Sequence, residues 1–200
     1  MNKPGDSWFT VKQEAISSLK ESGSKFIGLA FEAGNEDDVK EKLEELRKKY
    51  FDATHICYAY ILGREKNDFK AHDAGEPRHT AGDPILSQIR SLDLTDTLVV
   101  VVRYFGGKKL GRSGLVQAYK LAAGSVLEKA GKAERIAVVD MKIKFSADRT
   151  GDIMRLLKFN REAILNSHFE DSNTVLLRVR EQFANQFSKE LHKIQGILFL

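Results

Sequence analysis

Apolar positions along the chain recur at helical spacing in some stretches and form continuous runs in others. Val39 and Leu43 lie at helical spacing after Asn35, which predicts a helix with Asn35 as its N-cap. Continuous apolar runs of strand length predict strands over Ser24–Ala33, His55–Leu62 and Thr97–Phe105. The uninterrupted valines of the last run indicate a strand that is buried on both faces.

Two more helical stripes follow the strands. One begins after Asp83-Pro84, where Asp83 is the predicted N-cap and Pro84 suits the first turn. The other starts at Leu115 and ends at Gly131, a favourable C-cap. Residues 63–68 are predicted to form a polar turn. Residues 69–84 are predicted to form a long connection, since they contain two prolines and two glycines.

The last third of the chain has a pattern of its own. It reads as strand, helix, strand, strand, helix, strand, which is the βαββαβ order of ferredoxin-like domains. The predicted elements are a strand over 136–145, a helix capped by Asp148 that carries Ile153, Leu156, Leu157 and Phe159, strands over 163–169 and 174–180, a helix that carries Phe183, Phe187, Leu191 and Ile194, and a strand over 197–200. We therefore predict an α+β protein of two domains, 1–134 and 135–200.

The composition is typical of a protein with a hydrophobic core. Of the 200 residues, 42% are hydrophobic. No apolar run approaches the ~20 residues that a membrane helix needs, and residues 1–20 lack an apolar core of signal-peptide type. With Cys57 as the single cysteine, an internal disulfide is excluded and a reducing cytoplasm is the simplest expectation.

Positive charge is concentrated in one segment. The formal net charge of the whole chain is +4, whereas residues 100–132 alone contain seven Lys or Arg against Glu128. Such a segment attracts phosphates through its field without specifying which phosphates are bound. An anionic partner is therefore expected near this segment.

The stretch 106–114 (GGKKLGRSG) joins a predicted strand to a predicted helix within that basic segment. It nearly matches the phosphate loop G-x-x-x-x-G-K-[ST], but Arg112 stands at the lysine position, and the planar guanidinium does not replace a compact ammonium. Gly111–Gly114 also matches the short GxxG loop of KH modules. The glycines allow backbone N–H groups to approach an anion. A packing turn with solvated lysines explains the same residues equally well.

Aromatic residues adjoin this stretch. Aromatic rings beside cations can stack on bases. Phe105 is predicted to pack in the core, and the pattern leaves the role of Tyr104 open.

The connection His72–His79 is a second candidate site, because it holds two histidines and two carboxylates. Those groups suit a metal ion or acid/base chemistry, but the spacing of H-E-x-x-H and of cysteine pairs is absent. A triad of Ser113 with a histidine of this connection is conceivable, although Ser113 lacks the G-x-S-x-G elbow. Cys57 and His55 are predicted to be structural.

Two long motifs, His72–Leu86 and Val102–Tyr119, follow Ala53–His55 and Cys57–Tyr60 in that order. Together they resemble the IMPACT family, whose bacterial members include the YigZ-type proteins. The resemblance covers about residues 20–130, and the βαββαβ tail resembles the C-terminal domain of bacterial members.

The resemblance implies an N-terminal domain with the fold of ribosomal protein S5 domain 2. It implies a ferredoxin-like C-terminal domain similar to a ribosome-facing domain of elongation factor G. Eukaryotic members regulate translation under amino-acid stress by competing for an activator of a kinase that acts on initiation factor 2. For bacterial members, nucleic-acid or ribosome binding is the usual suggestion.

The chain departs from the family pattern at three places. Many members have an aspartate where this chain has Ala74, and Ser-Gly where it has Arg78-His79. The loop therefore loses one of two paired acids and becomes more basic. Ser113 stands where many members have glycine, a small change that leaves room for a close backbone approach.

These observations lead to the hypothesis of a cytoplasmic, non-catalytic protein that binds RNA or the ribosome and modulates translation, with no cofactor, no metal and no membrane contact. The predicted phosphate-binding residues are Arg103, Tyr104, Gly106, Gly107, Lys108, Lys109, Gly111, Arg112 and Gly114. The predicted supporting loop, which would orient those cations, consists of Asp73, Gly75, Glu76 and Pro77. The C-terminal sheet is expected to add a second contact surface. Two alternatives stay open: regulation through a partner protein, and hydrolysis of a nucleotide or a peptide.

Overall fold

The structure is a computed structural model that describes residues 5–171 and 173–200. The chain divides into two units. One is Trp8–Arg135, and the other is Ile136–Leu200 together with the segment that ends at Ser7. The domains predicted from the sequence, 1–134 and 135–200, stay predictions, and residues 1–4 and 172 of these domains lie outside the described residues.

The Trp8–Arg135 unit is built on a five-stranded antiparallel sheet in the order β2-β3-β6-β4-β5. A separate two-stranded sheet pairs β1 with β7. The strands are β1 Ser7–Val11, β2 Ala15–Glu21, β3 Ser24–Glu32, β4 His55–Leu62, β5 Asp68–His72, β6 Thr97–Tyr104 and β7 Lys132–Ile136. The helices are α1 Glu36–Lys49, α2 Gly82–Ser91 and α3 Gly111–Ala130.

Helices cover both faces of this sheet. Val100 and Val102 of β6 belong to a hydrophobic cluster with α1, whereas Val99 and Val101 belong to a second cluster with α2 and α3. All four valines are fully buried. The prediction that this strand is buried on both faces is therefore confirmed.

The helix ends confirm one predicted N-cap and correct another. The side chain of Asn35 accepts hydrogen bonds from the backbone N–H groups of Asp37 and Asp38 at the start of α1, as predicted. The prediction that Asp83 caps α2 is wrong, because α2 begins at Gly82 and Asp83 lies inside its first turn. A carboxylate from the preceding connection, that of Asp73, accepts from the N–H group of Gly82 instead.

Sequence patterns missed the strands at the edges of the sheets. The predicted connection over 69–84 begins as a strand, β5, because residues 68–72 pair with the buried strand β4. β2 is also an outer strand, and neither has the continuous apolar run that identifies a central strand. β1 likewise owes its position to its partner β7.

The second unit has the βαββαβ order that the sequence predicted. Its elements are β8 Val138–Lys144, a 3₁₀ helix Ala147–Arg149, α4 Thr150–Phe159, β9 Ile164–Asp171, β10 Thr174–Arg180, α5 Glu181–His192 and β11 Leu198–Phe199. The sheet order is β11-β8-β10-β9 and all its pairings are antiparallel, which is the ferredoxin-like arrangement. Asp148 lies in the 3₁₀ helix and not at the N-cap of α4, so that predicted cap is wrong. The α+β class is confirmed.

The sheet of the second unit does not present a uniformly basic face. Arg178 donates two hydrogen bonds to Asp140, and Lys142 pairs with Glu170. These pairs engage two of the four Lys and Arg residues on β8, β9 and β10.

Asp6 belongs to the second unit although it lies far from the rest of it in sequence. The guanidinium of Arg180 donates two hydrogen bonds to its carboxylate, at 2.6 and 3.0 Å, and the backbone N–H of Ala137 donates to its carbonyl oxygen. The hydrogen bonds from Arg180 hold the pKa of Asp6 below its usual value. This contact joins positions 174 residues apart.

Helix length and hydropathy bear on membrane insertion. Of the helices in residues 5–171 and 173–200, none combines the length and the hydropathy needed to span a bilayer.

Candidate functional site

The two segments singled out from the sequence meet at one cleft of the Trp8–Arg135 unit, with a volume of about 500 Å³. Its apolar lining comes from both segments and from the first turns of α3, and consists of Pro77, Phe105, Leu110 and Leu115. Its polar lining includes Glu76 and Arg103, which are buried, and Lys109 and Arg112, which are exposed. Buried polar groups therefore face the interior of the cleft, and exposed cations lie at its rim.

Glu76 and Arg103 form a buried ion pair. The Nη1 atom of Arg103 lies 2.6 Å from Oε1 of Glu76, and the hydroxyl of Tyr119 donates to the same oxygen at 2.8 Å. Nη2 of Arg103 donates to Ser24, while its Nε is buried without a partner among the described residues. Because Glu76 offsets its charge, Arg103 adds little to the net positive charge of the surface. Its predicted phosphate contact stays a prediction.

Asp73 organises the connection that leads into α2. Its Oδ1 accepts from the N–H groups of Ala81 and Gly82, and its Oδ2 accepts from the N–H group of His79. Burial acts to raise the pKa of Asp73, but the backbone hydrogen bonds from Gly82, His79 and Ala81 outweigh it and hold the pKa below its usual value. Asp73 therefore shapes the loop and does not line the cleft.

Gly75 and His55 fix the other side of that loop. Gly75 has a φ of +88°, and a Cβ there would approach the His55 ring to 3.4 Å. The Nδ1 atom of His55 lies 2.9 Å from the carbonyl oxygen of Ala74, and its Nε2 lies 3.9 Å from Glu76. With the proton on Nδ1, His55 donates a hydrogen bond to the carbonyl oxygen of Ala74. Its Nε2 is then an unprotonated acceptor in a residue that lines the cleft.

The glycines of the 106–114 stretch have different roles. A Cβ on Gly106 would lie 1.9 Å from the backbone of Gly23, so Gly106 serves the close packing of two chain segments. Gly107 and Gly111 have φ values of +86° and +71°, and nothing lies within 4 Å of a Cβ built on either. A Cβ on Gly114 would contact only the side chain of Leu110. Gly107 and Gly111 are therefore the glycines that leave their backbone open to an anion.

Three exposed cations follow these glycines. Lys108 and Lys109 form no ion pair with any residue of 5–171 or 173–200. Arg112 donates to the carbonyl oxygen of Arg78 and so links the two predicted segments directly. The first turn of α3 contains no acidic residue, and Leu110 at its N-cap gives no side-chain hydrogen bond. This edge of the cleft is therefore positively charged.

Tyr104 at the end of β6 and Phe105 just beyond it lie in different surroundings, and the predicted phosphate contact of Tyr104 stays a prediction. The hydroxyl of Tyr104 donates to Asp52 at 2.8 Å, and Tyr104 does not line the cleft. Phe105, which was predicted to pack in the core, is 46% exposed and lines the cleft. It lies just beyond the end of β6, and a position that follows a strand escapes the burial pattern of that strand.

Residues 22–127 match the sequence profile of the Impact N-terminal domain, which covers more than half of the chain. The chain is 35% identical over 185 residues to the IMPACT family member YvyE of Bacillus subtilis, an alignment that covers 92% of this chain and 84% of that protein. This chain belongs to the IMPACT family. The resemblance recognised from the two motifs is thereby confirmed.

Other IMPACT relatives span most of the chain. The IMPACT family member YigZ of Escherichia coli is 30% identical over 158 residues, which are 78% of this chain and 76% of that protein. A crystal structure of a hypothetical protein superposes with a TM-score of 0.69 at 26% identity and covers 98% of this chain and 97% of that one. The similarity to these proteins therefore includes residues of both units.

The positions where this IMPACT chain departs from the family pattern have local partners. Ala74 has a positive φ of +47°, and His79 one of +66°. The His79 ring lies 2.7 Å from the carboxylate of Asp83, so its basic group is already engaged. The backbone carbonyl of Arg78 accepts from Arg112. Arg78 and His79 therefore connect the loop to α2 and α3.

Three side chains suited to catalysis in this IMPACT chain, those of Ser113, His72 and Cys57, do not line the cleft. Ser113 is exposed in the first turn of α3 and does not line the cleft, whereas the His72 ring stacks on Tyr58. Burial in the core raises the pKa of Cys57 to about 12. Its thiol also donates to the carbonyl of Asp73. Within the described ranges, no three His, Cys, Asp or Glu side chains are grouped to hold a metal ion.

Sequence reasoning missed three members of the site, namely His55, Phe105 and Tyr119. Tyr119 lies on the buried face of α3. Its helical spacing with apolar residues indicates core packing and gives no sign that its hydroxyl donates to Glu76. His55 is the first residue of the apolar strand β4, and a single histidine at such a position is interpreted as structural. The contacts that reveal these residues join segments far apart in the chain.

Proposed function

We propose that this IMPACT chain is a non-catalytic protein that binds RNA or the ribosome through the cleft and modulates translation in the cytoplasm. The observation that carries the proposal is a set of exposed cations, Lys109 and Arg112 at the cleft rim and Lys108 next to them in the chain. They have no carboxylate partner in the described chain. Unpaired cations of this kind attract anions, and contacts with backbone phosphates supply most of the affinity of non-specific nucleic-acid binding. The family resemblance supplies the link to translation.

The backbone at this edge supports phosphate binding as well. Gly107 and Gly111 have open space around them, and the N–H groups at the start of α3 have no side-chain cap. Free N–H groups at a helix N-terminus and adjacent lysines attract the same anion. Lys108 and Lys109 would add full charges to the partial charge of the helix.

Phe105 supports RNA over a free phosphate ion. Its half-exposed ring lies beside the rim cations and lines an apolar cleft. Single-stranded RNA combines phosphates with unstacked bases, which aromatic side chains bind by stacking. A small inorganic anion would leave that apolar surface unused.

The arrangement of nucleophiles favours binding over catalysis. The thiol of Cys57 is buried, and Ser113 lies outside the cleft. The carboxylate of Glu76 already pairs with Arg103. The alternative of a hydrolase predicts turnover that survives high salt and is lost on changing His72, Glu76 or Ser113.

A salt series with labelled RNA tests the proposal. The triple variant Lys108→Ala/Lys109→Ala/Arg112→Ala and the parent chain are titrated with a fluorescein-labelled 20-nucleotide single-stranded RNA at several KCl concentrations. Loss of about three phosphate contacts should flatten the slope of log K against log salt by about 2. Sucrose-gradient co-sedimentation with 70S ribosomes at the same salt concentrations tests the ribosome directly.

A matched control removes the same number of charges from the opposite face of the sheet. Arg47, Lys48 and Lys49 end α1 and are exposed, so their replacement by alanine should leave the slope unchanged. If the two triple variants bind alike, or if the parent chain binds RNA with no salt dependence, the proposal is wrong.

The second unit favours one alternative, regulation through a partner protein. An open groove of about 810 Å³ lies between α4 and β9, and its lining includes the exposed Met154, Phe159 and Phe169. β9 is the outer strand, and in the described part of the unit no strand pairs with its free edge. Such an edge accepts an extended peptide as an additional strand.

The charge of the groove indicates which peptide it would accept. Arg155, Lys158 and Arg161 line it, and none of the described lining residues is acidic. A partner segment with acidic side chains between apolar ones would complement both features. After nuclease treatment, a partner that co-purifies with the parent chain should be lost from Arg155→Glu/Lys158→Glu/Arg161→Glu and kept by the triple variant at the cleft rim. The opposite pattern would exclude the groove.

A further inference from the structure

We infer that the cleft binds one unpaired guanine of a single-stranded RNA, with Glu76 as the group that recognises the base. This inference rests on the proposed RNA binding, since it names the feature that the same surface would recognise. It goes further in assigning base selectivity to a carboxylate that the sequence indicated only as support for the neighbouring cations.

The size and the lining of the cleft fit a single nucleotide. Its volume of about 500 Å³ lies within the range of roughly 300–1,000 Å³ of small-ligand sites. Pro77, Phe105, Leu110 and Leu115 supply an apolar lining for a planar ring. Phe105 is the aromatic ring among them. The guanidinium of Arg103 lies over this ring, 5.5 Å from its centroid, and the exposed part of Phe105 is available for stacking on a base.

Glu76 has a free acceptor in this cleft. Its side chain is only 3% exposed, and both of its hydrogen bonds, from Arg103 and from Tyr119, reach Oε1. No donor among residues 5–171 and 173–200 reaches Oε2. Oε2 is not among the fully buried atoms without a partner, so it stays accessible, and because Glu76 lines the cleft, a ligand there can donate a hydrogen bond to it.

The chemistry of the bases selects guanine for such an oxygen. An ionised carboxylate only accepts hydrogen bonds. On its Watson–Crick edge, guanine presents two adjacent donors, N1–H and the N2 amino group. Adenine and cytosine place a ring-nitrogen acceptor beside their amino donor, and uracil flanks its single donor with two carbonyl oxygens, so each of these bases sets an acceptor against the carboxylate.

The rim holds the backbone of the same nucleotide. Lys109 and Arg112 line the cleft, and the uncapped start of α3 adjoins them, so a phosphate attached to the bound nucleoside meets positive charge. Because the Watson–Crick edge of the base must face Glu76, the guanine has to be unpaired. Duplex RNA therefore does not fit this mode of binding.

A series of RNAs that differ in one base tests the inference on the unmodified protein. Fluorescein-labelled nonamers of uridine with guanine, adenine, cytosine, uracil or hypoxanthine (the base of inosine) at the central position are titrated at one salt concentration. The guanine nonamer should bind at least about 10-fold tighter than the other three natural sequences. Hypoxanthine lacks only the N2 amino group and should lose most of that gain.

A protein variant provides the complementary arm. Glu76→Gln replaces one acceptor by an amide that donates, so it should remove the preference for guanine while uridine RNA still binds. Because this change also breaks the pair with Arg103, its fold is checked by circular dichroism. Phe105→Ala, at an exposed position, is the second variant and should weaken the guanine nonamer more than the uridine one.

The outcomes separate the two proposals. If all five nonamers bind with equal affinity, or if guanine binds more weakly than adenine, guanine recognition is excluded while the RNA-binding proposal stands. If none of them binds even at low salt, both proposals fail. A guanine preference that persists unchanged in a folded Glu76→Gln protein excludes Glu76 as the recognising group.

Discussion

Nη1 of Arg103 and Oε1 of Glu76 lie 2.6 Å apart, with the two side chains only 6% and 3% exposed. Removing one member of a buried ion pair leaves the other charge without compensation, whereas replacing both by apolar groups avoids that cost. Arg103→Met should therefore lower the free energy of unfolding by about 3–5 kcal/mol. Urea unfolding followed by the fluorescence of Trp8, the single tryptophan, reports on this unit.

The double variant Arg103→Met/Glu76→Leu serves as the control for the pair. It should recover most of the stability lost in either single variant, because no buried charge is left alone. Strictly additive losses in the two single variants and the double variant would contradict a coupled pair.

Asp73→Asn should destabilise the connection before α2 by about 1–3 kcal/mol at neutral pH. The amide keeps one oxygen as an acceptor but cannot accept from the N–H group of His79 as well. Chemical unfolding of the variant and the parent chain at pH 7 measures the loss.

The same variant tests a pH dependence. Since the pKa of Asp73 is lower in the folded chain than in the unfolded one, its stabilising effect is present above the unfolded value of about 3.9 and is lost as the pH falls through the folded value. Asp73→Asn should therefore show a flatter decline in stability below about pH 4. Parallel acid curves for both proteins would rule out this linkage.

Alanine should lower the stability by different amounts at Gly106 and Gly107. Gly106→Ala places a Cβ 1.9 Å from the backbone of Gly23 and should cost about 3 kcal/mol or more. Gly107→Ala meets nothing within 4 Å, so only its positive φ opposes it, at about 1 kcal/mol. Thermal unfolding by calorimetry compares the two.

Gly151 in α4 is the matched control, since it has open space and no positive φ. Gly151→Ala should raise stability by roughly 0.5–1 kcal/mol. An equal loss at Gly106 and Gly107 would mean that the contact with Gly23 does not constrain the loop.

Cys57 should be unreactive in the folded protein. With a pKa raised to about 12 by burial, almost none of the thiol is ionised at pH 8, and the thiolate is the reacting species. Ellman's reagent should release no thionitrobenzoate from native protein within an hour and one equivalent in guanidinium chloride. Rapid reaction of native protein would show that this part of the core opens.

The elements that local sequence predicts well are those whose apolar pattern coincides with burial. The bounds of β4 and β10 match the predicted runs because both strands are largely buried. β2 and β5 escaped prediction because outer strands carry polar residues and depend on a neighbouring strand for their hydrogen bonds. Asp73 could not be recognised as a cap because its acceptors act across eight or nine residues.

For the candidate site, the sequence indicated the two segments but not the side-chain contacts between them. Glu76 and Arg103 lie 27 positions apart, and only the fold brings them into contact. Phe105 was wrongly predicted to pack in the core because it continues the apolar run of β6, whereas the strand ends one residue earlier. The exposed state of Lys108 and Lys109 follows directly from their position in a glycine-rich turn.

The pairing of Asp6 with Arg180 has a consequence for how the chain is made. Asp6 is synthesised before the whole of the Trp8–Arg135 unit, and the arginine that holds its carboxylate follows 174 residues later. The ferredoxin-like unit is therefore discontinuous in the order of synthesis, and a fragment that starts at residue 136 contains its whole sheet but not this carboxylate. During translation, the residues of Trp8–Arg135 are all synthesised before Asp6 can meet Arg180 at the end of β10.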